Sequence, residues 1–207
     1  MEIAPLKEAN ELFVKEHYLH RGRTMAQVAY WIILDGERVG ALLYALPRMS
    51  VRSDRYGGHS PMELLELARL WIHPSVQVKT QVDRHGRVHA LCIASASISR
   101  SLRRIRADWH GKYPHLPQVR AVVSWADISR HRGTIYTAAN FTCVGLAGGA
   151  KRSTGSRGAS RVFHADYANQ KVAFLYPFKG DLSDRDKAAA VENWADKRPR
   201  RRQRRRS

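Results

Sequence analysis

Residues 27 to 46 read QVAYWIILDGERVGALLYAL, and this stretch decides the fold. Its first eight residues are rich in β-branched and aromatic side chains, which favour a strand. Asp35 and Gly36 form a dipeptide that is typical of a tight hairpin turn. Residues 39–46 then make the return strand, which Pro47 ends. The stretch therefore predicts an antiparallel hairpin within a larger sheet.

The segments on either side of this hairpin predict an α/β fold. Before the hairpin we expect a short amphipathic helix at 5–20. After it we expect a strand at 64–72, for which a helix is the open alternative, then a polar connection at 75–87 and a helix at 89–109. The rest of the chain predicts a strand at 118–125, a short helix at 132–140, strands at 142–146 and 171–178, and a weak helix at 181–196. This order is similar to that of GNAT acyltransferases. It predicts a mixed, mostly antiparallel central sheet flanked by helices, with residues 1–180 as one catalytic domain. Residues 181–207 are expected to be a C-terminal helix followed by a disordered Arg-rich tail.

The charge of the chain points to a polyanionic partner. Lys and Arg number 36 against 18 acidic residues, a net charge of +18. The last eleven residues hold eight basic residues and no acid, so the remaining chain still carries +10. Nucleic acid is the favoured partner, while an anionic membrane and an incidental excess of Arg stay as alternatives. The expected DNA contacts lie in two basic loops: Arg48, Arg52 and Arg55, then Lys151, Arg152, Arg157 and Arg161.

The two cysteines and the hydropathy exclude several classes of protein. Cys92 and Cys143 lie far apart without a CxxC motif, so neither a zinc site nor a disulfide framework is expected. Both have apolar neighbours and are interpreted as buried thiols. No stretch approaches eighteen apolar residues, and the N-terminus lacks a signal-peptide pattern. We therefore expect a cytoplasmic protein without a membrane partner.

Four short segments share their order and spacing with a known family. They are His17-Tyr18, the run from Glu66 to Leu70, the run from Ser95 to Leu102, and the block Ser124-Trp125-Ala126-Asp127 followed by Gly133-Thr134-Ile135-Tyr136, Asn140 and Gly145. Together they resemble the Mom family of phage adenine-modification proteins over roughly residues 10–147. The resemblance implies a GNAT-like fold, an iron requirement, and conversion of adenine in DNA to a methylcarbamoyl derivative that protects phage DNA from restriction.

The resemblance also implies a site. Its expected catalytic residues are Tyr18, Arg69, Ser95, Asp127, Tyr136 and Asn140, and its expected metal ligands are His17, Tyr18 and Asp127. An imidazole, a phenol and a carboxylate are all suitable ligands for a first-row metal and would leave coordination positions open.

Each of these residues has a structural alternative. His17 and Tyr18 would otherwise pack the end of the first helix. Arg69 is a charge in an apolar segment and needs a partner, either Asp127 or a phosphate. The remaining alternatives are core packing for Tyr136, a helix cap for Asn140 and a small packing residue for Ser95, and His131 is a weak further candidate.

The donor of the transferred group and the competing functions stay open. GNAT enzymes hold the pyrophosphate of acyl-CoA on a Gly-rich turn that opens a helix. Residues 81–90 carry Gly86 without that spacing, which weakens the acyl-CoA expectation, although Arg84 and Arg87 could meet phosphate. We expect double-stranded DNA as partner, with the target base flipped out, and leave RNA and a homodimer open. The alternatives are an acetyltransferase acting on a protein or small amine and a non-catalytic nucleic-acid-binding protein.

Overall fold

Nine strands and six helices make up the part of the chain that the computed structural model describes, residues 1–23, 27–47, 56–77, 80–82, 84–90, 92–127, 130–147 and 171–195. In chain order they are β1 (Glu2–Ala4), α1 (Leu6–Glu16), β2 (Gln27–Leu34), β3 (Glu37–Ala45), β4 (Leu64–Ile72), α2 (Pro74–Gln77), β5 (Thr80–Val82), β6 (Val88–Ala90), α3 (Ile93–Leu102), α4 (Ile105–Lys112), β7 (Ala121–Asp127), α5 (Thr134–Ala138), β8 (Thr142–Ala147), β9 (Lys171–Pro177) and α6 (Asp184–Ala195).

Seven strands form one sheet in the order β1-β2-β3-β4-β7-β9-β8. Every neighbouring pair is antiparallel except β4 and β7, which run parallel. These two strands share only three residue pairs, Leu64–Glu66 against Ala121–Val123, although both continue further. The expected mixed, mostly antiparallel sheet is confirmed, and its central pair opens into a cleft.

The hairpin predicted from residues 27–46 is confirmed. Strands β2 and β3 pair antiparallel, and Leu34 faces Glu37 across a two-residue turn. Asp35 and Gly36 both adopt positive φ, 52° and 84°, which is the backbone of a type I′ turn. The local turn signal and the β-rich flanks agree, so this part of the fold is specified by nearby sequence alone.

Helices cover both faces of the sheet. One face packs on α3 and α4 through a cluster that includes Leu42, Leu65, Ile98 and Trp109. On the other face Phe13 of α1 is completely buried against small residues of β2 and β3. Burying apolar surface on both faces accounts for the near-continuous hydrophobic runs of the central strands.

Several sequence-based expectations are wrong in detail. The strand β1 was not expected, and the polar connection at 75–87 contains α2 and β5. The helix expected at 89–109 is two helices, α3 and α4, preceded by β6. Short polar strands have no apolar periodicity, and the amphipathic pattern runs unbroken across the junction between α3 and α4, so sequence alone shows neither feature.

The two thiols are exposed, so the interpretation of Cys92 and Cys143 as buried is wrong. Cys92 is the residue immediately before α3, and Cys143 lies on β8, which is the last strand of the sheet order. Positions at helix starts and on edge strands keep solvent access even when their sequence neighbours are apolar.

At the C-terminus, the expected helix is present as α6 and packs on α4. The Arg-rich tail at 196–207 lies outside the described residues, so its expected disorder stays a prediction.

Candidate active site

A cavity of about 720 Å³ opens where β4 and β7 stop pairing with each other. Four segments contribute most of its lining: residues 17–19 after α1, residues 66–70 of β4, residues 92–95 at the start of α3, and residues 130–136 between β7 and the end of α5. This volume lies in the range of small-molecule sites, which is large enough for a nucleobase.

The end of α1 places His17 against this cavity. The helix stops there because His17 takes an extended backbone, with its N–H still bonded to the carbonyl of Phe13. The imidazole is buried and its Nδ1 accepts a hydrogen bond from the backbone N–H of Leu19 at 3.2 Å. Burial, aided by the nearby charge of Arg69, lowers the pKa of His17 to about 4. The ring is therefore neutral at pH 7, and its proton sits on Nε2, which can donate.

Tyr18 forms an aromatic platform at the rim of the cavity. Its ring stacks on His17, with centroids 4.4 Å apart, and is 40% exposed. The guanidinium of Arg130 lies 5.3 Å from the ring centroid, and the His131 ring meets it edge-on at 5.9 Å. Burial, with a contribution from Asp127, raises the pKa of Tyr18, so the phenol stays protonated. A half-exposed ring in these surroundings is suited to stacking on a flat ligand.

A β-bulge in β4 sets the position of Arg69. Leu43 of β3 faces Arg69 while Tyr44 faces Leu67, so Ala68 is an extra residue in β4. Bulges of this kind re-aim side chains next to binding sites. Arg69 Nε donates to the carbonyl of Arg21 at 3.2 Å, and Nη1 donates to that of Ala68 at 2.6 Å.

The charge of Arg69 remains available to an incoming anion. Its side chain is buried, and burial lowers its pKa, followed by the effect of Arg23. The guanidinium nevertheless stays protonated, since its ordinary pKa lies far above neutral pH. Both hydrogen-bond acceptors are neutral carbonyls, while the carboxylate of Glu66, which pairs with Arg23 and lines the cavity, opposes the lowering of the Arg69 pKa. An anionic group entering the cavity would add a further negative charge beside the guanidinium.

Asp127 lies beside the cavity but is not part of its lining. Its carboxylate pairs with Arg130 at 3.9 Å, and its carbonyl accepts from the N–H groups of Arg130 and His131. The residue thereby shapes the turn that carries Arg130 and His131. Among the contacts of the described residues, the direct ion pair expected between Arg69 and Asp127 is absent.

The hydroxyl of Tyr136 lies close to that of Ser124. Ser124 Oγ donates to the carbonyl of Leu67 at 3.1 Å. The Ser124 hydroxyl lowers the pKa of Tyr136, against the larger effect of burial. The phenolic oxygen of Tyr136 has lone pairs that can accept a hydrogen bond. Burial raises the pKa of Tyr136 and keeps it neutral.

The short helix α5 that carries Tyr136 depends on a glycine. Gly133 adopts φ +74°, and a Cβ at this position would collide with the ring of Phe174. The Tyr136 ring packs on Phe174 and Phe141, with centroids 5.0 and 5.7 Å apart. Only glycine allows both the positive φ and this close approach of α5 to β9.

Of the last two expected residues, Ser95 lies in the cavity and Asn140 lies on the surface. Ser95 lines the cavity and donates its hydroxyl to the carbonyl of Cys92 at 3.2 Å. Asn140 is exposed, has φ 64°, and is not among the lining residues. Its left-handed backbone after α5 agrees with the capping alternative, since Asn tolerates this conformation.

A cationic rim was largely missed by the sequence analysis. Arg130, Arg132 and Lys171 all line the mouth of the cavity and are exposed, and His131, a weak candidate, lies among them. The run of basic residues directly before Gly133 is the one local signal that could have indicated it. The pairing of β7 with β9 brings Lys171 close to these residues, because Lys171 lies opposite Asp127 in the register of the two strands.

The residues present fit the expected iron poorly. Within the described ranges no group of three or more His, Cys, Asp or Glu residues could hold a metal ion. His17 already uses Nδ1 as an acceptor, so binding a metal through Nε2 would require moving the ring proton and losing the Leu19 bond. Asp127 is paired with Arg130. We therefore derive no step through a metal.

Two further expectations concern segments near the site. Residues 81–90, the segment compared with a pyrophosphate-binding turn, belong mostly to the β5–β6 hairpin and do not open a helix. The two basic loops expected to contact DNA, with Arg48, Arg52, Arg55, Lys151, Arg152, Arg157 and Arg161, lie outside the described residues.

Comparisons with known proteins place the chain in a family. None of the helices in the described ranges is long and apolar enough to span a bilayer. No curated protein matches the sequence. The sequence pattern of the Mom protein family matches residues 1–173, a range that includes every residue that lines the cavity. The chain therefore belongs to the Mom protein family.

Proposed function

We propose that this chain modifies adenine in double-stranded DNA by adding a methylcarbamoyl group to the N6 amino group, which protects phage DNA from restriction in the host cytoplasm. The Mom protein family is associated with phage DNA modification, and the family match covers most of the chain. The observation that carries the proposal is the cavity that brings Tyr18, Arg69, Ser95 and Tyr136 together beneath a cationic rim.

The cavity suits a base that has left the duplex. Enzymes that act on a base in duplex DNA flip it into a pocket and stack it on aromatic side chains. Tyr18 offers a half-exposed ring for this stacking. The rim residues Arg130, Arg132 and Lys171 would hold the phosphates on either side of the flipped nucleotide.

Two hydrogen-bonding groups match the edge of adenine. The oxygen of Tyr136 is an acceptor, which suits an N6 hydrogen, and Nε2 of His17 is a donor, which suits the N1 lone pair. In the reaction N6 forms a bond to a carbon of the donor while the bond between that carbon and the donor's leaving group breaks, the leaving group keeps that electron pair, and the proton lost from N6 passes to the leaving group or to water. An acceptor beside that nitrogen holds the amino group in position and raises the electron density on N6.

The donor is expected to carry an anionic group that Arg69 anchors. Acyl-CoA stays a prediction without support from a pyrophosphate-binding turn. Iron likewise stays a prediction, and the roles proposed for His17, Tyr18 and Tyr136 require no metal.

Mass spectrometry of nucleosides from cells that produce the protein tests the proposal. We expect a fraction of deoxyadenosine to be replaced by a heavier nucleoside whose added mass matches a methylcarbamoyl group. An unmodified deoxyadenosine pool in cells that contain folded protein would contradict the proposal. Acetyl-CoA binding by calorimetry without any change in DNA would support the acetyltransferase alternative instead.

A substitution of Arg69 tests the role of the cavity. Arg69→Lys keeps the charge but cannot make both main-chain hydrogen bonds, so we expect at least a tenfold loss of modified nucleoside. The matched control is Arg100→Lys, at an exposed position of α3 outside the cavity. Equal modification by both variants would show that Arg69 has no part in the reaction. It would then favour a non-catalytic role for this cavity.

A further inference from the structure

The β5–β6 hairpin is not part of the seven-stranded sheet. It forms a separate two-stranded sheet in which Thr80 faces Ala90 and Val82 faces Val88. An isolated two-stranded hairpin is only marginally stable in water, and Val82 is 61% exposed. Such an element gains stability when a partner covers it.

Both ends of this hairpin are rooted in the wall of the cavity. Gln77, just before β5, and Cys92 and Ile93, just after β6, all line it. Each three-residue strand is about 10 Å long. The turn at residues 84–87 is separated from these lining residues by only five to seven positions along the chain. The hairpin is therefore joined at both ends to segments that line the cavity.

The tip of the hairpin is basic and exposed. The described turn reads RHGR over residues 84–87, and Arg84, His85 and Arg87 are exposed in the structure. Gly86 has φ +77°, which closes the turn, and Arg84 Nε donates to His85 Nε2 at 3.1 Å. A cationic tip on a narrow ribbon complements the phosphates that flank a groove.

We propose that the β5–β6 hairpin is a duplex-binding arm that enters a groove of DNA next to the base held in the cavity. The major groove is about 12 Å wide and admits a two-stranded β-ribbon. Arg84 and Arg87 contact phosphates on its two sides. Only the identity of the flipped base rests on the proposed function. Binding of duplex DNA by the arm does not depend on which base is modified.

The test uses the full chain and a fluorescently labelled duplex of about 20 base pairs, long enough for two turns. Anisotropy titrations over a series of salt concentrations compare the wild type with the Arg84→Ala, Arg87→Ala double variant. Each phosphate that a variant no longer neutralises lowers the slope of log K against log salt by about one, so we expect a decrease of about two. We also expect at least tenfold weaker binding at about 0.1 M salt.

A matched control removes two charges far from the cavity. Lys171 of β9 lines the cavity, whereas Lys179 lies beyond the opposite end of that strand. Arg185 is the second residue of α6, and both Lys179 and Arg185 are exposed. The Lys179→Ala, Arg185→Ala variant should leave the slope within about half a unit of the wild type. Restoring charge with Arg84→Lys, Arg87→Lys should recover most of the slope.

Three results would overturn the proposed arm. These are a double variant whose slope and affinity match the control, a lysine pair that fails to restore the slope, and an equal loss of affinity for single-stranded DNA. Nucleoside mass spectrometry on the same proteins separates this proposal from the proposed function. If the wild type leaves adenine unmodified but the arm variant loses duplex affinity, the function fails and the arm stands.

Discussion

At the scale of single residues, His17 shows how main-chain geometry decides the chemistry of a side chain. The N–H of Leu19 occupies Nδ1, and burial keeps the imidazole neutral. His17 was expected to bind a metal, and that stays a prediction. In the structure the backbone hydrogen bond leaves Nε2 as the donor, and only the three-dimensional turn after α1 reveals this.

The lowered pKa of His17 predicts a pH dependence of stability. The unfolded chain takes up a proton near pH 6.5, whereas the folded site does so only near pH 4. Stability is therefore fully present above pH 6.5 and is lost as pH falls through this window, by about 2 kcal/mol between pH 7 and pH 5. Urea unfolding should show a smaller decrease for His17→Gln, while His115→Gln, at an exposed position, should behave like the wild type. Identical pH profiles for all three proteins would contradict the prediction.

Ser124 is predicted to act through Tyr136. Ser124→Ala leaves the carbonyl of Leu67 without its hydroxyl donor and removes the partner of Tyr136. We expect the free energy of unfolding to fall by about 1–2 kcal/mol and the modified nucleoside to decrease severalfold. Tyr136→Phe should reduce modification at least as much. Ser97→Ala, a buried serine outside the cavity lining, is the control for both measurements. A loss of stability in Ser124→Ala with full modification would assign Ser124 a purely structural role.

The sequence predicted part of this site. His17, Tyr18, Arg69, Ser95 and Tyr136 do line one cavity. Their order along the chain resembles that of a known family, so their convergence could be expected from that resemblance. Their hydrogen-bonding roles could not, because these depend on a bulge at Ala68 and on the turn after α1.

At the scale of elements, α6 packs into a notch on α4. A Cβ at Gly111 would collide with the carbonyl of Ala190 and the ring of Trp194. Lys112 lies over the Trp194 ring, with Nζ 5.2 Å from its centroid, and donates to the carbonyl of Gln27 at 2.7 Å. Burial lowers the pKa of Lys112 to about 8. This junction joins α6, which lies beyond the family match, to the part of the fold that the match covers.

Gly111→Ala is predicted to loosen that junction. The added methyl group forces α6 to shift, which should lower the free energy of unfolding by about 1–3 kcal/mol. Limited proteolysis should also cleave near α6 at a lower protease concentration. Ala188→Ser, on the exposed side of α6, should change stability by less than about 0.5 kcal/mol. Unchanged stability and proteolysis in Gly111→Ala would mean that α6 does not pack as described.

Elements with strong local signals were predictable and weak ones were not. The β2–β3 hairpin follows from Asp35 and Gly36, and β4 was correctly preferred as a strand. Strand β5 was interpreted as part of a polar connection and β6 mostly as the start of a helix, because these three-residue strands carry no alternating apolar pattern. The β5–β6 hairpin is held by its position between α2 and α3, which is information that no short window contains.

At the scale of the whole molecule, the charge is spread beyond the tail. Truncation after Ala195 removes eight basic residues and leaves the cavity intact. We expect the salt slope of duplex binding to fall by up to about seven, in proportion to the number of phosphates that the tail neutralises. Modification should persist when the truncated protein is produced at high level. Complete loss of modification with a normally folded truncation would show that the tail takes part in more than attraction to DNA.

The short shared edge of β4 and β7 has a mechanical consequence. Three residue pairs hold the two strands together, and beyond Glu66 and Val123 the strands no longer pair. A small change in the angle between the strands at this vertex, where their pairing ends, therefore becomes a large change in the distance between them further along. Substitutions at the buried Leu65 or Val122 would therefore change the width of the cavity without altering any side chain that lines it.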